Sequence, residues 1–352
     1  MTPAIERRDR SGRTPEERQE PGATEVEDLL QTLPGGAPAS NDAVRLERLH
    51  KGVYRLRIDG ASVRTFVIKR HTPTIAHRDR LVVERWLPAL RLGDRCPRLV
   101  AAVAQREGRW VWHAYEDLCG DTLQQRRDWP SLEAAIDVVA ELHTRGAHHP
   151  ILPEVRWHAR DHGATSLTSS LRDGIAALEA LASPRETASP ALAPVWSRLL
   201  ERLYSLLEVA PSRVRIMEDV GGPDTLLHGD LCPKNVFVTA TDSGPHARLL
   251  DWDHVGVGSS SYDISTFLYQ SPLEERPSLL RRYRAAVERA GYRLPADSEL
   301  NQLFYTAETA RGASCVIWPA MALLNDDAPW GAAELMEIDR WFATLRPPLG
   351  AA

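Results

Sequence analysis

Two segments joined by a short polar linker, LLHGDLCPKNVFV and LLDWDHVG, constrain this chain more than any other part of it. Val236 to Val238 and Ala247 to Leu250 are short β-branched or aliphatic runs, and the linker TATDSGPH is rich in turn residues, so they read as a hairpin. A hairpin returns its two ends to one place. Asn235, just before the first strand, and Asp251, just after the second, then come within reach of a single cation. Their hard oxygens suit Mg²⁺ shared with substrate phosphates better than a caged transition metal. Asp230 precedes Asn235 on the same loop, where its carboxylate accepts a proton from, or orients, an incoming hydroxyl. The order D-x-x-x-x-N with a later D is the catalytic-loop and metal-aspartate arrangement of phosphoryl transfer. A polar loop capped by Asn and Asp is the plain alternative. It leaves the joint agreement of His228, Asp230, Asn235 and Asp251 to chance.

The segments HGDLCPKNVFV, LDWDHVGVGSSSYDIS and WHAYEDLCGDTL resemble the aminoglycoside phosphotransferase and choline kinase family of small-molecule kinases. The likeness runs from about Leu46 to the carboxy-terminal region and is strongest in the middle third. It implies an α+β, two-lobed, protein-kinase-like fold, with a small β-rich amino-terminal lobe and a larger, mainly helical carboxy-terminal lobe. It also implies Asp230 as the catalytic aspartate, Asn235 and Asp251 as magnesium ligands, and His228 and Asp263 as braces of the loop. Cys232 and Lys234 stand where the family motif often has His and Gly, both at variable positions. A general-base role for His228 is the weaker reading, because Asp230 already fills that place. Asp253 reads as an outer-sphere metal group or a turn residue.

Composition excludes several other classes. The chain has 352 residues, 43% hydrophobic and 26% charged, enough for one two-lobed domain or two ordinary ones. A formal charge of −5 argues against nucleic-acid binding, which needs a basic face. No apolar run approaches the roughly 20 residues of a membrane helix, and the amino terminus has no signal-peptide core, so a cytoplasmic protein is expected. Cys96, Cys119, Cys232 and Cys315 are scattered without a CxxC pair, which disfavours disulfides and zinc. Cys232 inside the catalytic loop reads as a packing residue, since nothing nearby supplies a partner base.

Lys51, Lys69 and Lys234 are the only lysines among 43 basic residues, and all three fall near the expected nucleotide phosphates. A compact ammonium is a phosphate-contacting point charge that arginine does not replace cleanly. Lys69 ends the alternating run Val63 to Ile68, after the strand-like Val53 to Ile58 and the turn Asp59-Gly60, in the place of a strand-borne Lys that meets the α- and β-phosphates. Glu84, in the helical pattern RDRLVVERWL with Leu81, Val82 and Trp86 on its apolar face, is the expected partner of Lys69. Between the candidate strands Val44 to Leu49 and Val53 to Ile58, His50-Lys51-Gly52 offers a turn rather than a G-x-G-x-x-G loop. Amides near Gly52 with the charge of Lys51 would cap a phosphate, and a plain β-turn explains the segment equally well. Trp110 to Tyr115 reads as a strand broken at Glu116-Asp117-Leu118, the place of the lobe-connecting hinge in the family, whose backbone would receive adenine. Val53, Ile68 and Ala114 would sandwich the base or serve as core.

Residues 1 to 40 are rich in Arg, Glu, Pro, Gly and Thr and read as largely disordered apart from a short helix, Val26 to Thr32. The amino-terminal lobe is expected over 41–116 and the helical lobe over 117–352, where six segments show apolar residues at three- and four-residue spacing. Acceptor candidates are Trp157 and Asp161 in the irregular RWHARDHG, and Glu308 and Trp318 in a carboxy-terminal helix, with Trp330 beyond it. Asp326 to Asp339 holds five acids and no basic residue, which suits a polycationic acceptor or a solvated helix face.

The expected function is ATP-dependent transfer of a γ-phosphoryl group to a hydroxyl of a small molecule, an antibiotic among the candidates, with Mg²⁺. A sugar, nucleoside or amino alcohol acceptor fits as well, and GTP in place of ATP is open, as is the oligomeric state. A catalytically silent nucleotide-binding module is the alternative, although Asp230, Asn235, Asp251 and Lys69 are all retained. A protein kinase is disfavoured by the short segment between Asp251 and Asp263 and the lack of an A-P-E signature.

Overall fold

A computed structural model describes residues 21–35, 43–182, 192–326 and 328–349. The chain divides into two compact units, one made of residues up to Asp121 with 239–241 and 248–253, the other of the rest. The architecture is α+β, with an antiparallel sheet in the first unit and helices dominating the second.

The first unit carries α1 (Ala23–Thr32) and strands β1 (Ala43–His50), β2 (Val53–Asp59), β3 (Arg64–His71), β4 (Leu99–Ala104) and β5 (Val111–Glu116), ordered β1-β2-β3-β5-β4. Alternation along these strands sends Tyr54, Leu56, Ile58, Phe66, Ile68, Trp112 and Ala114 to one face, where they form a core with Leu29 and Leu33. The expected helix therefore begins three residues earlier than its apolar pattern, at Ala23, and is packed rather than free. Leu29 is fully buried, so the amphipathic helix has a sheet to bury its apolar side against. The remainder of the segment expected to be disordered, 1–20 and 36–40, lies outside the described residues.

After β3 come α2 (Pro73–Leu81), a π-helical stretch Val82–Trp86 and α3 (Leu87–Ala89). Lys69 thus lies within β3, which continues through His71, rather than at its exit. Likewise β5 includes Glu116, and the break follows it.

Beyond the short β6 (Asp121–Thr122) come α4 (Trp129–Gly146), α5 (Leu152–His158), β7 (Arg160–Asp161), α6 (Ala164–Ala182) and α7 (Ala193–Val220). Strand β8 (Asp224–Leu227), the hairpin β9 (Val236–Thr241) and β10 (Gly244–Leu249), and β11 (Gly256–Ser259) precede α8 (Ser261–Tyr269), α9 (Arg276–Arg289), α10 (Asp297–Asp326) and α11 (Pro329–Thr344). The helices run longer than their apolar patterns, and α7 and α10 continue through Pro211 and Pro319. Leu171, Leu178, Leu199, Leu203, Val316, Leu335 and Phe342 knit α6, α7, α10 and α11 into the core of the second unit. Strand β11 pairs antiparallel with β8 and parallel with β7, so that the end of β8, leading to His228, lies beside the start of β11.

Candidate functional site

The loop that follows β8 is fixed by its backbone. Gly229 has φ +82°, and a Cβ there would sit 1.9 Å from the His254 carbonyl oxygen, so only glycine fits between His228 and Asp230. Asp263, at the start of α8 and fully buried, accepts the His228 N–H at 2.7 Å and the Gly229 N–H at 2.9 Å. His143 Nε2 lies 3.2 Å from the same carboxylate, and its Nδ1 is 2.7 Å from the Tyr283 hydroxyl. Burial by itself would raise the Asp263 pKa, but the His143 hydrogen bond and the charges and N–H donors around it hold the carboxyl below its ordinary value. His143 and Tyr283 were not legible as site residues, because they come from α4 and α9 and carry no local motif.

The loop then presents its chemistry. The Asp230 N–H donates to His228 Nδ1 at 3.3 Å, which occupies that nitrogen's lone pair. A 3₁₀ turn, Pro233–Asn235, brings Asn235 back so that its Nδ2 donates to the Asp230 carbonyl at 2.9 Å and to Asp230 Oδ2 at 3.1 Å. Both bonds use the amide nitrogen, which leaves the Asn235 carbonyl oxygen as the group suited to a hard cation. Lys234 Nζ lies 3.9 Å from Asp230 Oδ2. The Cys232 thiol is buried, and burial with the nearby Asp230 pushes its pKa up to about 11, so it stays an unreactive thiol.

In the first unit, Lys69 Nζ donates to Asp251 Oδ1 at 2.6 Å and to Asp253 Oδ2 at 3.0 Å. Burial lowers the Lys69 pKa, yet the two carboxylates outweigh it and raise the group above its ordinary value, so the ammonium is charged. Asp251 has φ +63°, a left-handed conformation that a non-glycine residue holds only where the surroundings enforce it.

Glu84 is not brought to Lys69. It is exposed, and its carboxylate accepts from Arg80 Nε at 2.6 Å on the same helix. The reason is the π-helical stretch, whose buried residues are Val82 and Trp86 and which turns Glu84 to solvent. The acid that faces inward is Asp79, which follows the buried Ala76 at helical spacing, a signal that the sequence did contain.

Lys51 and Gly52 form the β1–β2 turn, with Lys51 exposed and Gly52 at φ +72°. At the end of β5, Glu116 accepts from the Arg98 N–H at 3.1 Å and Arg248 Nη1 at 3.0 Å, and Asp117 from Arg55 Nε at 2.8 Å. These side chains are tied to the first unit, and Leu118 beside them is half-buried.

Among the acceptor candidates, Trp157 is 85% exposed, and Asp161 accepts the Gly163 N–H at 2.8 Å. Glu308 is fully buried, bonded to Arg311 Nε at 2.7 Å and the Thr266 hydroxyl at 3.3 Å, which makes it a structural acid. Trp318, 71% exposed, and Trp330 face each other at 6.2 Å. Cys315, one turn before Trp318 on the same helix, is exposed. Two of the five acids between Asp326 and Asp339 are committed to arginines, Glu337 to Arg340 and Asp339 to Arg198.

Among solved structures, a spectinomycin phosphotransferase bound to ADP and spectinomycin is 12% identical, with a TM-score of 0.57 over 94% of this chain and 96% of that one. A Plasmodium vivax ethanolamine kinase is 13% identical, with a TM-score of 0.58 over 86% and 82%. An amicoumacin kinase bound to AMP-PNP, Ca²⁺ and amicoumacin is 14% identical, with a TM-score of 0.57 over 96% and 97%. At these identities the likeness establishes the protein-kinase-like fold. No curated protein sequence matches. The profile of the phosphotransferase enzyme family, however, matches residues 9–297, a span that includes Lys69, Asp230, Asn235, Asp251 and Asp263, and the chain belongs to that family.

Proposed function

We propose that this protein is an ATP-dependent kinase that moves the γ-phosphoryl group to a hydroxyl of a small molecule. The observation that carries the reading is the loop from His228 to Asn235, in which the Asp230 N–H is anchored on His228, its carboxylate accepts from Asn235, and the backbone before it is held by Asp263. Asp230 orients the acceptor hydroxyl and takes its proton, and Lys69 holds the triphosphate. Asn235 and Asp251 would hold Mg²⁺, which when bound neutralises charge on the phosphates. Catalysis is then positioning and electrostatics, with no covalent intermediate on the protein. The spectinomycin, ethanolamine and amicoumacin kinases of the same fold support this reading by class.

For the acceptor, the exposed and mutually facing Trp318 and Trp330 favour a compound with a ring to stack. An antibiotic of that kind fits, as do nucleosides, whereas the arginine-paired acids on α11 weaken the case for a polycation. No helix among the described residues is long and apolar enough to cross a membrane, in keeping with an enzyme of the ATP-containing cytoplasm.

Turnover with ATP and Mg²⁺ across antibiotics, nucleosides, sugars and amino alcohols, with mass detection of an added phosphate, tests the reading. Asp230→Asn should keep nucleotide binding and lower kcat by about 10²–10⁴. Near-normal transfer by that variant rules out the assigned role, and a nucleotide-binding wild type inert on every acceptor favours the silent module.

A further inference from the structure

The residue expected to orient Lys69 points to solvent, yet Lys69 is not without support. Strands β3 and β5 pair antiparallel with Lys69 opposite His113. Because side chains alternate along a strand, Lys69, His71, His113 and Tyr115 lie on one face of the sheet, opposite the face that carries Ile68, Trp112 and Ala114 into the core. The inner side of α2 contributes Asp79 to this polar face.

These groups form a continuous series. The Tyr115 hydroxyl donates to Asp79 Oδ2 at 2.5 Å and lies 3.2 Å from His113 Nδ1 and 3.3 Å from His71 Nε2. His113 Nδ1 is itself 3.0 Å from Asp79 Oδ2. The other nitrogen of His71 faces Asp253 Oδ1 at 3.6 Å. Those two atoms are buried and make no hydrogen bond, so each has the other as its polar neighbour. Asp253 Oδ2 then receives Lys69 at 3.0 Å. His71, Asp79 and His113 could in principle surround a metal ion, their ligand atoms lying within 4.8 Å of one another. The Tyr115 hydroxyl, in reach of all three side chains, already joins them.

We propose that Asp253, held by the connected set His71, Tyr115 and Asp79, is the carboxylate that orients Lys69 in this chain, the task that Glu84 does not perform. The function of the brace rests on the phosphoryl-transfer reading. Lys69 bridges Asp251 and Asp253, and Asp251 would be one of the groups that hold a divalent cation. An anion fixed at Asp253 would keep the ammonium in place while Asp251 is engaged with the cation, so that the lysine stays aimed at the nucleotide phosphates. Asp253, His71 and Tyr115 are positioning residues in this scheme.

The scarcity of lysine supplies a readout independent of activity. With only Lys51, Lys69 and Lys234 in the chain, acetylation of the full-length protein followed by peptide mass spectrometry reports the reactivity of Lys69 against two internal references. Asp253→Asn, His71→Gln and Tyr115→Phe should each raise the relative labelling of Lys69, by about fivefold for loss of one charge-assisted contact, whereas Glu84→Gln should leave it unchanged. In turnover assays the same three variants should raise KM for Mg·ATP more than they lower kcat. Tyr115→Phe removes one oxygen atom and keeps the ring, and circular dichroism confirms its folding. Unchanged Lys69 labelling in folded Tyr115→Phe and Asp253→Asn, or an increase in Glu84→Gln, overturns the proposal. Shifted labelling in a protein that transfers phosphate to nothing upholds the brace and counts against the kinase reading instead.

Discussion

His71 is a titratable residue with no aqueous surroundings, and that alone makes a prediction. It is 2% exposed, and burial, with the charge of Lys69, brings its pKa down to about 3. In the unfolded chain an ordinary histidine takes up its proton near pH 6.5. Between those two values the unfolded state binds more protons than the folded state, so stability falls as pH is lowered from about 6.5 toward 3 and does not depend on this group above that window. Urea titrations across pH 4 to 8 should show that slope, and His71→Gln should flatten it; an equal slope in the variant would place the dependence elsewhere. Asp263 is the opposite case, a buried acid whose charge is kept by donors on every side. At this scale the sequence was a good guide to Asp230 and Asn235, because their contact closes within one loop. It was a poor guide to Lys69, whose partners Asp251 and Asp253 lie 182 and 184 residues away.

At the scale of elements, the period of the apolar residues located the strands and helices, and their ends were set by other forces. Helix α1 shows it. Six of its ten residues are charged or polar and dilute its pattern, yet Leu29 and Leu33 are buried against the sheet. Leu29→Ala should therefore cost roughly 2–5 kcal/mol in the first unit, as for a filled core position. Chemical denaturation checks this, and a loss below about 0.5 kcal/mol would mean that the helix contributes no more than a surface segment. The π-helical stretch is the converse case. RDRLVVERWL reads as one amphipathic helix, but an extra residue in the turn redirects Glu84 and leaves Asp79 as the inward acid. No periodicity announces such a change, since it follows from burying Val82 and Trp86 together.

For the molecule as a whole, each of the two units holds a buried apolar cluster of its own among the described residues. The cluster around Leu56 and the cluster around Leu199 share no residue. Substitutions in them should act independently. Hydrogen exchange should show Leu56→Ala lowering protection in β2, β3 and β5 by about 2 kcal/mol or more while α6, α7 and α10 keep theirs, and Leu199→Ala should do the reverse. Loss of protection throughout from either change would show one cooperative core.

The sequence by itself determined the polar loop from His228 to Asn235, the strand that carries Lys69 and the division into a sheet-rich and a helical part. Those depend on local chemistry: an Asp and an Asn in one turn, alternating apolar residues, and helical spacing. Only the tertiary structure decided which carboxylate meets Lys69, that Glu308 is a structural acid, and that His143 and Tyr283 stand behind Asp263. Each of those depends on which groups lose their water together, and a buried charge takes whatever partner the packing brings to it, however far along the chain that partner lies.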